Sequence, residues 1–250
     1  MSGAGGGRGD HDRQAGGAGT GRPAGYRGGG RAGGAGVGVA GEAKSPYVSR
    51  GGVKLRHALD AFGFDPRGLV CADLGCSTGG FTDCLIQAGA ARVHAVDTGY
   101  GVLAWRLRQD ARVVVHERSN ALHLEPSERA GLVVIDAGWT PQGLILPAAR
   151  RWLEWGSDAG AAAGGGGGGR VIALVKPHYE DRALAARSRG VLSDADARGV
   201  SRRVLDEVAR SGWAVLGEVE SPVRGSGGGK EGAGNLEWLA LLAPEVPEEA

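Results

Sequence analysis

Asp73-Leu-Gly-Cys-Ser-Thr-Gly-Gly80 follows an apolar strand-like run and precedes a helix-like one. A loop in that position lies at the carboxyl edge of a sheet, where open α/β folds bind ligands. Three chemistries compete for it. A dinucleotide fingerprint needs a second glycine where this chain has Ser77, and a P-loop needs a Gly-Lys-Ser/Thr that does not follow. Gly75-Cys-Ser-Thr-Gly79 fits the nucleophile elbow of serine hydrolases, with Asp136 and His178 available in the right chain order, yet no upstream strand exists to carry the second oxyanion donor. S-adenosylmethionine, with an adenosine and an amino-acid end but no phosphate, suits a loop that begins with an acid. Asp73 would serve the methionine ammonium, the glycines would let the chain pass close to the ligand, and Asp97, 22 residues beyond Gly75, has the spacing of a ribose-binding carboxylate.

These residues need a scaffold, and the surrounding pattern supplies one. Val53, Leu55, Ala58, Leu59 and Phe62 form a helical stripe after Ser49, with Gly63 as the stop. Short β-branched runs then alternate with amphipathic ones, the pattern of an α/β fold with a mainly parallel sheet. Strands are expected near Leu69–Asp73, Arg92–Asp97, Val113–Glu117, Leu132–Asp136 and Val171–Lys176, and helices near Gly80–Gln87, Val102–Arg108, Gln142–Trp152 and Ala195–Ser211. Trp213–Val219 and Leu236–Leu242 have no helix between them and are expected to pair antiparallel, giving a mixed seven-stranded sheet.

Composition sets the boundaries. Of 49 glycines in 250 residues, 32 sit in segments 1–41, 156–169 and 225–234, so the remaining sequence has an ordinary globular content. Residues 1–44 lack the apolar content to offset chain entropy and are expected to be a disordered Gly/Arg-rich tail. Residues 45–243 form the folded domain, 244–250 a short disordered tail, and the glycine-rich runs at 164–169 and 225–234 are loops. The net charge of +1 announces no polyanion partner; any such partner needs a local patch or the tail. Cys71, Cys76 and Cys84 show neither metal-ligand spacing nor an even disulfide set, so no metal site is expected. With no signal-like or membrane-spanning run, the cytoplasm is the default compartment.

Six segments make the sequence recognisable: Tyr47-Val-Ser-Arg-Gly-Gly-Val-Lys-Leu55, Asp73 through Leu85, Ala95-Val-Asp-Thr-Gly-Tyr-Gly101, Leu103 through Arg108, Leu174-Val-Lys-Pro177 and Gly234-Asn-Leu-Glu237. Together they closely resemble the TlyA (hemolysin A-like) group of FtsJ-type ribosomal RNA methyltransferases, over about residues 45–243. The resemblance implies a Rossmann-like methyltransferase fold and methyl transfer from S-adenosylmethionine to a ribose 2′-hydroxyl of ribosomal RNA. It assigns a catalytic Lys, Asp, Lys, Glu set to Lys54, Asp136, Lys176 and Glu237, and cofactor contacts to Asp73, Gly75, Ser77, Gly79, Phe81, Asp97 and Asn120.

Three departures stand out. The Gly/Arg tail takes the place of the group's usual small RNA-binding domain, Asp136-Ala-Gly-Trp-Thr-Pro replaces its Asp-Val-Ser-Phe-Ile-Ser, and Pro177-His-Tyr-Glu replaces Pro-Gln-Phe-Glu. Trp105, Trp139, Trp152, Trp155, Trp213 and Trp238 mostly have core spacing; Trp139, just after Asp136, could stack on a base. A serine hydrolase using Ser77 and a non-enzymatic RNA-binding or assembly factor are the competing functions.

Overall fold

The computed structural model describes residues 45–154, 168–225 and 234–245. The whole of the expected segment 1–44, the bulk of both glycine-rich loops, Trp155 and the last five residues lie outside them. The first helix, α1 (Arg50–Phe62), starts where Ser49 Oγ accepts from Gly51 N and stops where Gly63 turns left-handed at φ 62°. Then come β1 (Val70–Leu74), α2 (Gly80–Gln87), β2 (Arg92–Val96), α3 (Trp105–Arg108), β3 (Val113–His116) and β4 (Leu132–Ile135). The chain continues through α4 (Gln142–Trp152), β5 (Arg170–Val175), α5 (Pro177–Glu180), α6 (Arg182–Arg187), α7 (Asp194–Arg210), β6 (Trp213–Glu220) and β7 (Trp238–Pro244).

The seven strands lie in the order β3-β2-β1-β4-β5-β7-β6, the first five parallel. Both faces are covered. Along β4, Leu132 and Val134 enter the cluster built with Leu55, Leu59 and Leu85 of α1 and α2, while Val133 and Ile135 enter the one built with α4 and α7. This is why the parallel strands read as unbroken apolar runs rather than alternating ones.

The strand order switches from one side to the other between β1 and β4, so a crevice opens between them at the carboxyl edge. Register then brings the candidate residues to that edge. Leu74 pairs with Ile135, placing Gly75 beside Asp136. β7 slots antiparallel between β5 and β6, pairing Val175 with Trp238, so that Lys176 and Glu237 flank the same rung.

Three expectations need correction. The helix expected over Val102–Arg108 is only the turn α3, because Ala104 N is drawn to Thr78 O of the glycine loop at 3.1 Å. Trp105 is not core but 74% exposed, since Leu103 and Leu107 take the buried face of that turn. The last strand begins at Trp238 rather than Leu236, with Asn235 turned aside to accept from Leu192 N, and it runs on to Pro244. The short helices α5 and α6 were not anticipated.

Because α1 presents Lys54 from the face that also buries Leu55, Ala58 and Leu59, its seating sets the position of the lysine. Leu59→Ala is expected to destabilise the domain by about 2–5 kcal/mol, read by denaturant unfolding, as a fully buried leucine leaves a cavity behind.

Candidate active site

Two adjoining cavities open at the carboxyl edge, of 230 and 240 Å³, and they share Gly75, Ser77 and Asp136 on their walls. Lys54, Asp136, Lys176 and Glu237 all line the first, together with Phe81. They form two ion pairs. Lys54 Nζ donates to Glu237 Oε2, both side chains being almost fully buried. Lys176 Nζ faces Asp136 Oδ1 as an ion pair without the alignment of a hydrogen bond, and it lies 5.8 Å from the centre of the Tyr179 ring. Gly225 passes so close to Glu237 that a Cβ there would fall 2.2 Å from Oε1, which explains a glycine at that point.

The second cavity is lined by Asp97 and Asn120. Asp97 accepts from Ser77 N at 2.8 Å and from Gly99 N at 2.7 Å, one bond to each carboxylate oxygen. Each oxygen keeps a lone pair for a ligand hydroxyl. Asn120 Oδ1 accepts from Leu122 N at 2.9 Å, which leaves its amide nitrogen as the group a ligand would engage. The loop between the cavities is held in conformations that give a ligand room: Gly75 has φ 91° and Ser77 φ 49°. A Cβ on Gly75 would meet Asp136 O and Ala137 Cα at 2.9 Å, so the loop passes too close to the Asp136 segment for any side chain.

Asp73 and Gly79 stand behind this wall rather than on it. Gly79, at φ 95°, opens α2 and packs under Leu103 and Leu107. Asp73 is fully buried, with Oδ2 accepting from Thr82 N and Thr82 Oγ1 at 2.8 and 2.6 Å, while Oδ1 has no hydrogen-bond partner. Burial first, and the Asp136 and Asp97 charges after it, push its carboxyl up to about 7, against the opposing Thr82 bonds. A nucleoside with an amino-acid end fits these walls: hydroxyl acceptors at one end, the close backbone of Gly75 in the middle, and carboxylates and lysines at the other.

The hydrolase constellation is not assembled. Ser77 has the strained backbone of an elbow, but Asp136 faces Lys176, and His178 Nδ1 is buried with no partner to orient the ring. Burial, then Lys176 and Lys54, push His178 down to about 4, so it is neutral at physiological pH. Burial likewise pushes the thiols of Cys71, Cys76 and Cys84 upward, which makes them poor nucleophiles. Sequence reasoning weighed His178 only as a triad member and did not single out Tyr179, although both line the first cavity. Trp139 is 70% exposed and packs on Tyr179 with ring centres 4.7 Å apart.

The FtsJ-like methyltransferase family model matches residues 47–231. The chain belongs to this family. It is 39% identical over 211 residues to the 16S/23S rRNA (cytidine-2′-O)-methyltransferase TlyA of Mycobacterium tuberculosis, covering 82% of this chain and 71% of that one. The structure of a candidate hemolysin from Streptococcus thermophilus shares 36% identity with a TM-score of 0.69, over 82% of this chain and 69% of that one. A Listeria monocytogenes methyltransferase structure, at 13% identity and a TM-score of 0.53 over 79% of this chain and 99% of that one, shares the fold. The doubly wound methyltransferase architecture read from the sequence is therefore the architecture present.

The state of Asp73 is testable through pH. Its folded-state carboxyl binds a proton more tightly than the unfolded one, so the stabilisation is full below the usual carboxylate range and is lost as pH rises through about 7. Asp73→Asn cannot titrate. The melting temperature of the wild type relative to Asp73→Asn is expected to fall between pH 4.5 and pH 8, as measured by calorimetry in the two buffers.

Proposed function

We propose that the protein transfers a methyl group from S-adenosylmethionine to a ribose 2′-hydroxyl of ribosomal RNA, with Lys54, Asp136, Lys176 and Glu237 as its catalytic residues. The observation that carries this reading is the pair of lysine–carboxylate contacts on one cavity wall, adjoining a second cavity with acceptors for a nucleoside. Membership of the family and the named activity of the M. tuberculosis relative support it. A ribosomal substrate implies work in the cytoplasm.

When bound, S-adenosylmethionine supplies an electrophilic methyl carbon with a thioether as leaving group. Asp97 and Asn120 would hold its nucleoside end; Gly75 and Ser77 line both cavities, and Phe81 lines the first. What remains for the protein is alignment and one proton. Once its own proton has left, the neutral amine of Lys176 takes the proton of the ribose hydroxyl, and Asp136 fixes its direction and pairs with the ammonium that re-forms. Lys54 lines the same cavity with its own charge matched by Glu237. Neutral His178 adds no competing cation. Trp139, exposed at the rim and packed on the half-buried Tyr179, offers an aromatic face to a base of the target strand.

Lys176→Ala is expected to bind S-adenosylmethionine within a few-fold of the wild type by calorimetry, yet to lose ~10²- to 10⁴-fold in methyl transfer to ribosomal RNA. Lys176→Arg should fail nearly as badly, since a guanidinium is too weak an acid to serve as a base. Ser77→Ala should be mild. A Lys176→Ala protein that methylates at near wild-type rate defeats the assignment; labelling of Ser77 by an active-site phosphonate would favour the hydrolase reading.

Residues 45–243 act in this reading as the methyltransferase domain, and the Gly/Arg segment before them adds RNA affinity through its charge. Residues 1–44 carry six basic groups. Deleting them should weaken RNA binding, flatten its log–log salt slope by up to ~5 and leave cofactor affinity alone. An unchanged slope would show the segment to be inert toward RNA.

A further inference from the structure

The Lys176–Asp136 contact is one of several bonds between two segments that run side by side, 136–142 and 174–182. Arg182 donates from its guanidinium to Trp139 O at 2.6 Å, and Gln142 Nε2 donates to Leu174 O at 3.1 Å. The remaining link comes from a group with no place in the chemistry above: Glu180 Oε1 accepts from Gln142 N at 3.0 Å. Gln142 is the first residue of α4, and the residue before it, Pro141, supplies no side-chain acceptor to the helix start. Glu180 therefore caps α4 from another element, meeting an orphan amide at the positive end of the helix.

The geometry ties that cap to the reacting groups at both ends. On one side, Lys176 O accepts from Tyr179 N and Glu180 N at 2.8 and 3.2 Å, so Glu180 and Lys176 belong to a single turn. On the other, Asp136 N is held to Leu74 O, and only the short loop carrying Trp139 separates Asp136 from Gln142. We propose, on the reading of Lys176 and Asp136 as a catalytic pair, that Glu180 is a positioning residue whose bond to the Gln142 amide holds the Asp136 loop in place against Lys176. Burial, with a small addition from Glu207, pushes the Glu180 carboxyl up to about 7. An amide oxygen in its place keeps the acceptor that the Gln142 N–H requires.

The test uses the full chain with Glu180→Ala and Glu180→Gln. Hydrogen exchange over residues 139–145 should be faster in Glu180→Ala and near wild type in Glu180→Gln. In steady-state methyl transfer, Glu180→Ala should lose kcat by about tenfold, the cost of a small misplacement, while its S-adenosylmethionine affinity stays within a few-fold. Glu180→Gln should recover most of the rate. Wild-type exchange in Glu180→Ala, or an equal loss of rate in both variants, overturns the proposal. A wild type that transfers no methyl group defeats the catalytic reading instead, and the exchange comparison still decides whether Glu180 holds the loop.

Discussion

Burying the carboxylate of Glu237 obliges the chain to bring it a cation, and most of the active edge follows from how that is done. Glu237 is 3% exposed, and an ionised group so far from water is tolerated only when it is closely paired. Its partner, Lys54, comes from the first helix, 183 residues away in sequence. For the two to meet, β7 must enter the sheet beside β5 and run against it, so that the residue before its first rung stands at the carboxyl edge. α1 must pack on the same face of that sheet. The same insertion puts Glu237 beside the end of β5, where Lys176 emerges.

The second ion pair is less buried and differently built. Lys176 and Asp136 sit on consecutive carboxyl ends, β5 and β4, and are held by loops rather than by a helix docked across the sheet. Lys54–Glu237, by contrast, ties α1 directly to the residue before β7. The division suits a reaction in which one lysine must exchange a proton and the other must not. Neutral His178 adds no further charge beside these lysines.

Much of this was legible in the sequence because local signals and tertiary demands agreed. Gly80–Gln87 and Gln142–Trp152 appear with the expected bounds, and Ser49 and Gly63 mark the ends of α1 as caps should. The signal failed where tertiary contacts overrode periodicity. Ala104 gave up a helical start to bond Thr78, leaving Trp105 outside. One-turn helices such as α5 carry too few residues for a period to show. Nothing in the chain near Glu237 names Lys54 as its partner; family resemblance put both in one catalytic set, and the insertion of β7 brings them together. Asp73 read as a ligand contact because it ends a strand beside a glycine loop, but its side chain turns inward to Thr82.

The central claim is that these two ion pairs serve ribose methylation, and mapping of 2′-O-methyl groups along ribosomal RNA tests it most directly. Cells lacking the protein should lose ribose methylation at discrete positions, and the wild-type chain, but not its Lys176→Ala form, should restore it. An unchanged 2′-O-methyl map, or a loss confined to base methylation, would contradict the assignment of a ribose hydroxyl to this site.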